Sequence, residues 1–467
     1  MIVLALLVYK LPPPQRQEII LQPAIELADP LEEKKYGFNH GDPDKPDSPF
    51  NVNNPDEVAV ENEIQSQDEE GDGDPINVGP ETTAPNRLGI GTENPNRTPI
   101  RSAYEGRSEH ARGTVLSNGG GDETTEAAVM RGLHWLARQQ FPDGHWSLRK
   151  GPRNNSYDAA GVDNWTAATG MALLAFLGHG ETCERGEFQK TVQKGWTWLL
   201  RQQSENGCFY RPDAETQDHL FYTQGICTIA ICELYAMTEN LSDREKLRLS
   251  AQKAIDFCVE NQTRSGGWRY GRNDYESDLS VTGWVVMALH SGRIAGLDVP
   301  QEALDRITEF LDDIGEAGSK YPYQKGYATV TRSMTAEGLL CRQFLGWDQD
   351  DSRLLEGADW LVQPDNLICF TGRDEMGRRN ERDVYYWYYA TQMFHHLGGR
   401  HWKTWNDVMK QKMCENQQTR AGENQGSWDP VLPSQDKYAS QGRLYVTCLS
   451  IYILEVYYRH LPIYRVR

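Results

Sequence analysis

Three acids stand at alternate positions in Asp274-Tyr-Glu276-Ser-Asp278, immediately ahead of a long apolar stretch. Carboxyls crowded together cannot all ionise, so one of them keeps its proton at a raised pKa, which is what an acid that protonates an apolar substrate requires. The plainer use of such an Asp is to cap a helix. Asp163, Asp218, Asp383 and Asp436 hold similar places before other apolar stretches, and that recurrence favours capping. A second set is aromatic: Trp165, Tyr222 and Trp284, the run Tyr385, Tyr386, Trp387, Tyr388 and Tyr389, then Tyr438 and Tyr445. Ring faces of this kind line a cavity for a hydrophobic ligand or steady a cation, or they pack between helices. His219 beside Asp218 has the pattern of a polarised base, against the commoner lone surface histidine. The candidate catalytic residues are therefore Asp278, Glu276 and Asp274. The candidate substrate-binding residues are Trp165, His219, Tyr222, Trp284, Tyr385, Trp387, Tyr389 and Tyr438. No metal site and no cofactor are expected, because the chain has no Cys-x-x-Cys, no metal-type residue at i+3 or i+4 from His395 or His396, no Gly-rich phosphate loop and no nucleophile elbow.

These residues are positioned by a repeat. Gln140-Phe-Pro-Asp143-Gly144-His-Trp146, Gln203-Ser-Glu-Asn206-Gly207-Cys-Phe209 and Gln262-Thr-Arg-Ser265-Gly266-Gly-Trp268 share one spacing from Gln to aromatic, and their glycines recur after 63 and 59 residues. Before each turn, apolar residues fall at i, i+4 and i+7, as in Val129, Leu133 and Leu136 or Val192, Trp196 and Leu199. Weaker copies follow, the last leading to Gly426-Ser-Trp428. After each turn comes a stretch apolar on most faces with a Thr or Ser near its start, the mark of a fully buried helix: 166–177, 223–237, 280–294, 335–345, 385–397 and 444–457. Two helices per unit and six units of about 60 residues predict an all-α fold, an α/α toroid whose second helices form an inner ring. The Asp/Asn-Gly pairs supply the positive φ of a tight reversal, the closing aromatic is expected to cover a neighbouring helix end, and the Gln side chains to bond free carbonyls at helix ends.

The repeated Gln-x-x-Asp/Asn-Gly-x-Trp pattern resembles the QW motif of squalene-hopene and oxidosqualene cyclases and the repeats of protein-prenyltransferase β-subunits, over about Thr124 to Tyr464. The layout also looks like that of the prenyltransferase/squalene oxidase repeat proteins of planctomycete bacteria. The resemblance implies a hydrophobic, isoprenoid-like substrate in the central cavity. One departure stands against inherited chemistry: the chain lacks the Asp-x-Asp-Asp-Thr acid motif of those cyclases, and an Asp-x-Cys string like that of the prenyltransferase zinc ligands occurs once, as Asp256-Phe-Cys258, within an expected outer helix. The alternatives are a non-catalytic, membrane-tethered binding or scaffold toroid, and a glycan-binding or polysaccharide lyase toroid that stacks sugars on exposed Trp and Tyr.

All 13 Trp and all 9 Cys lie beyond residue 120. Residues 1–120 carry 10 Lys/Arg against 21 Asp/Glu, a net of −11 out of −19 for the chain, and too few apolar residues to offset chain entropy. Residues 11–120 are accordingly expected to be a disordered acidic linker, and 121–467 the toroid domain. Residues 1–10 are an apolar N-terminal segment. Met1–Tyr9 is too short to span a bilayer, and with Lys10 and Pro12 to Pro14 behind it reads as the exit half of a membrane anchor or as a simple hydrophobic terminus. Membrane association through the N-terminus is the favoured localisation, a cytoplasmic one the alternative. The acidic balance argues against nucleic acid as a partner.

Overall fold

The computed structural model describes residues 101–464 apart from 154–159, 162, 212–218, 273, 374–376 and 461–462. The apolar segment 1–10, the linker up to residue 100 and Asp218 lie outside the described residues. Fourteen α-helices and three short 3-10 helices are described: α1 Glu109–Asn118, α2 Glu123–Gln139, α3 Trp165–Gly178, α4 Gln189–Gln202, α5 Leu220–Met237, α6 Leu241–Glu260, α7 Leu279–Ile294, α8 Gln301–Ile314, α9 Arg332–Phe344, α10 Ser352–Leu361, α11 Val384–Leu397, α12 Gly399–Glu415, α13 Gly442–Leu454 and α14 Val456–Arg459. No strand occurs among the described residues, only isolated β-bridges within the turns.

The fold is the expected α/α toroid. From α3 to α13 the odd-numbered helices form the inner ring, each packing on the next, and α13 returns to pack on α3. From α2 to α12 the even-numbered helices form the outer ring, closed where α12 meets α2. The inner helices are buried nearly all round, as their composition demands: every residue of α5 is buried, and so is every residue of α11. The outer helices bury one stripe, Val129, Leu133 and Leu136 in α2 and Val192, Trp196 and Leu199 in α4.

The repeated turn works as a staple, and not quite as its sequence suggests. Each turn Gln donates to its own turn glycine carbonyl and to a carbonyl inside the next outer helix: Gln140 to Thr191 (2.9 Å), Gln203 to Ser250 (2.9 Å), Gln262 to Ala303 (2.9 Å). The acceptors are therefore not free helix ends. The indole of the closing Trp donates to its own outer helix, Trp146 to Leu136 O and Trp268 to Cys258 O, both 2.8 Å. Its backbone N–H is taken by the Thr of the following inner helix, Trp146 by Thr169 (3.1 Å) and Trp268 by Thr282 (3.0 Å). The sixth turn repeats the scheme on the first hairpin, Gln417 donating to Ala128 O (2.8 Å) and Trp428 to Met413 O (2.8 Å), which closes the ring. The fourth turn, degenerate in sequence, keeps the last element: Tyr321 N–H donates to Thr335 (3.1 Å).

One boundary differs from expectation. Of the residues assigned by composition to the linker, 101–107 form a 3-10 helix and 109–118 form α1, with Gly119 and Gly120 turning into α2. They dock by hydrogen bonds and ion pairs rather than by an apolar stripe, which is why hydropathy does not reveal them.

Candidate functional site

The inner helices all start at one end of the ring, called here the mouth, where the turns lie. Asp278 caps α7: its Oδ1 accepts from Val281 N (2.9 Å) and Ser280 Oγ (2.7 Å). Its Oδ2 has the guanidinium of Arg269 as its nearest charge, at 3.8 Å. The side chain is fully buried, and burial pushes the carboxyl up to about 6 against the lowering effect of Arg269 and the capping bonds. Ser280 Oγ continues to Tyr222 OH (2.7 Å), and the Tyr270 and Tyr323 hydroxyls touch each other nearby.

The other two acids of the trio do not join it. Asp274 is half-buried and accepts from Gly271 N (2.8 Å), while Glu276 is exposed with Gln324 Nε2 at 3.5 Å. The expected sharing of a proton among three carboxyls is thus replaced by the burial of one. Of the other acids set before inner helices, Asp383 caps α11 through Tyr386 N (2.8 Å). Asn164 rather than Asp163 caps α3, and Asp436 bridges Val384 N and Tyr438 N. Burial raises Asp436 to about 7, with Arg382 opposing.

The carboxyl that shares the interior with Asp278 is Glu337, in α9. It is fully buried, receives Tyr385 OH on both oxygens (3.1 and 3.0 Å), and is held well above the carboxylate range by burial, with Asp278 adding to the rise. The same Tyr385 hydroxyl reaches Ser280 O (3.2 Å), joining α11 to α7 across the ring. A lone acid inside an apolar inner helix was the available signal for Glu337, as it was for Glu233 in α5.

Most of the aromatic candidates fill the ring axis instead of lining a space. Trp284 of α7 stacks on Tyr388 of α11 (5.6 Å, 20°), Tyr388 meets Tyr452 of α13 (5.6 Å), and Tyr452 OH donates to Met171 O of α3. Tyr385 packs edge-on against Tyr389 (4.8 Å) and Tyr438 (5.5 Å). Trp387 turns away from this cluster to Phe370 (4.9 Å). His219, Tyr222, Trp284, Tyr385, Trp387, Tyr389 and Tyr438 are all at most 2% exposed. Trp165 differs. It is 38% exposed, its indole N–H is held by Asp163 Oδ2 (2.7 Å), and one face stacks on His145 (4.7 Å), which stacks in turn on Phe141 (4.3 Å). Tyr275, 79% exposed, belongs to the turn before α7. Among the described residues no group of three or more His, Cys, Asp or Glu is arranged to hold a metal ion.

A closed ring of six helical hairpins defines an α/α-toroid protein. No protein-family model matches the chain, and no curated protein is similar to it. Among solved structures it is similar to the cellobiose 2-epimerase from Spirochaeta thermophila, with a TM-score of 0.51 and 14% identity over 75% of this chain and 98% of that one. It also matches the type II terpene cyclase MstE from Scytonema (TM-score 0.45, 14% identity, 72% and 98% covered) and the GH76A alpha-1,6-mannanase from Salegentibacter (TM-score 0.46, 12% identity, 72% and 98% covered). At these identities the likeness is one of fold, and the resemblance drawn from the repeated turn holds at that level.

Proposed function

We propose that this toroid is a binding protein that takes a saccharide on the rim of its mouth, with Trp165 as the platform. The observation behind this reading is the contrast in exposure between Trp165 and the other aromatic candidates, which leaves one flat apolar face presented to solvent. Asp163 and His145 fix that face before any ligand arrives, so little rotamer entropy is lost on binding. Indole combines apolar area with a satisfied N–H, which suits the C–H face of a sugar ring. Titration with neutral oligosaccharides, followed by calorimetry, tests the reading. Wild type should bind saturably and Trp165→Ala at least about tenfold more weakly, the loss of roughly 1.4 kcal/mol. No binding by wild type across a broad glycan set, or equal binding by the variant, overturns it.

A second reading rests on Asp278. A buried carboxyl at about 6 has the protonation state of an acid that activates an apolar, isoprenoid-like substrate. Such a substrate needs Trp284, Tyr388 and Tyr452 to part. Turnover of an isoprenoid by wild type, abolished in Asp278→Asn, would favour it.

A further inference from the structure

We propose that residues 101–122 are a clasp that holds the ring shut at the junction of its first and sixth hairpins, with Arg107 as the keystone. The clasp is independent of what the mouth binds. Five of the six hairpin junctions join neighbours in sequence; the sixth joins α2 and α3 to α12 and α13, elements separated by most of the chain. A contact of that kind carries the loop-closure entropy of the whole ring and is the one to open first.

The segment spans this junction from both sides. At the end opposite the mouth, the Arg107 guanidinium is buried. Nη1 donates to Glu233 Oε2 (2.8 Å) and Leu177 O (3.2 Å), Nη2 to Glu233 Oε1 (3.1 Å) and Arg459 O (3.0 Å), and Nε to Arg459 O (3.2 Å). One side chain thereby joins α3, α5 and the end of α14. Arg459 returns to Glu233 (3.3 Å) and Glu455 (3.0 Å). Burial works against the charge on Glu233, yet Arg107 and Arg459 hold it below its ordinary value. Gly180 (φ 91°) lets the segment lie close, since a Cβ there would stand 2.1 Å from Arg107 O. Arg112 donates to His179 O (2.6 Å), just past α3. On the other side, α12 grips the end of the segment: Trp402 donates to Gly119 O (2.9 Å), Asn406 to Gly120 O (3.1 Å), and Lys410 pairs with Asp122 (3.3 Å). First and sixth hairpins are thus tied through the segment that leads into α2, whose last residue, Asp122, caps that helix.

Amide hydrogen exchange on the full chain tests the clasp. In Arg107→Ala, exchange of α3, α13 and α14 should quicken by about tenfold or more while α7 and α8 keep the wild-type rate, because opening is local to the junction. Should that variant fail to fold, Arg107→Lys, which keeps the charge but loses the fork, gives the same regional pattern at smaller amplitude. A uniform rise across all inner helices, or no change at α3 and α13, overturns the proposal.

Discussion

Asp278 uses one carboxylate oxygen to cap α7 and keeps the other in the interior, and these two facts lead to opposite expectations for its variants. Asparagine can cap as well as aspartate, so Asp278→Asn should fold. Because the carboxyl is raised to about 6 in the folded chain and is near 3.8 when unfolded, the protonated form is the one the fold favours. The stability this gives is fully present below the unfolded value and is lost as pH rises through about 6, amounting to roughly 3 kcal/mol at most. Denaturant unfolding of both proteins should show Asp278→Asn gaining on wild type between pH 4 and pH 8. A gap that stays constant, or moves the other way, would mean that the carboxyl is not buried as described. Trp165, by contrast, should matter to binding and less to stability than the fully buried Trp284, since 38% of it is already in water.

Among the elements, the turn is what makes a hairpin into a ring segment. A Cβ on Gly426 (φ 97°) would stand 2.1 Å from the backbone oxygen of Arg131, in the first outer helix, whereas one on Gly346 (φ 99°) meets nothing within 4 Å. Both positions carry the strain of a left-handed residue, on the order of 1–2 kcal/mol for alanine. Only the first adds a collision with backbone. Gly426→Ala should therefore lose several kcal/mol and Gly346→Ala about 1, measured by chemical denaturation; equal losses would show that the turn does not press on the neighbouring helix. The helices themselves were legible because their signals are local. Six apolar stretches became six inner helices within a few residues of their expected limits, and in four of them a Thr receives the turn's backbone N–H, namely Thr169, Thr282, Thr335 and Thr447, while Gln224 takes that place in the second hairpin. What was not legible depended on partners distant in sequence. Gln417 bonding to Ala128, Tyr385 bonding to Glu337, and Arg107 holding residues 101–120 onto the ring leave no periodic trace.

At the scale of the whole molecule, the same packing that closes the ring decides where a ligand can sit. The resemblance to terpene cyclases pointed to the axis, and most of the aromatic side chains expected there are present, Trp165 and Trp387 excepted. They are turned on each other, so that Trp284, Tyr388 and Tyr452 bridge α7, α11 and α13 through one another. Fold and site therefore separate: the ring was readable from its repeats, while the state of its centre was set by which way the side chains point. Hydrogen exchange of the full chain in the presence of a neutral oligosaccharide, and separately of a squalene-length isoprenoid, compares the two locations directly. The saccharide should protect the stretches around Phe141–His145 and Trp165, and the isoprenoid should leave α7 and α11 unchanged. Protection of α7 and α11 by the isoprenoid, with the rim unaffected by sugar, would contradict a binding site on the rim.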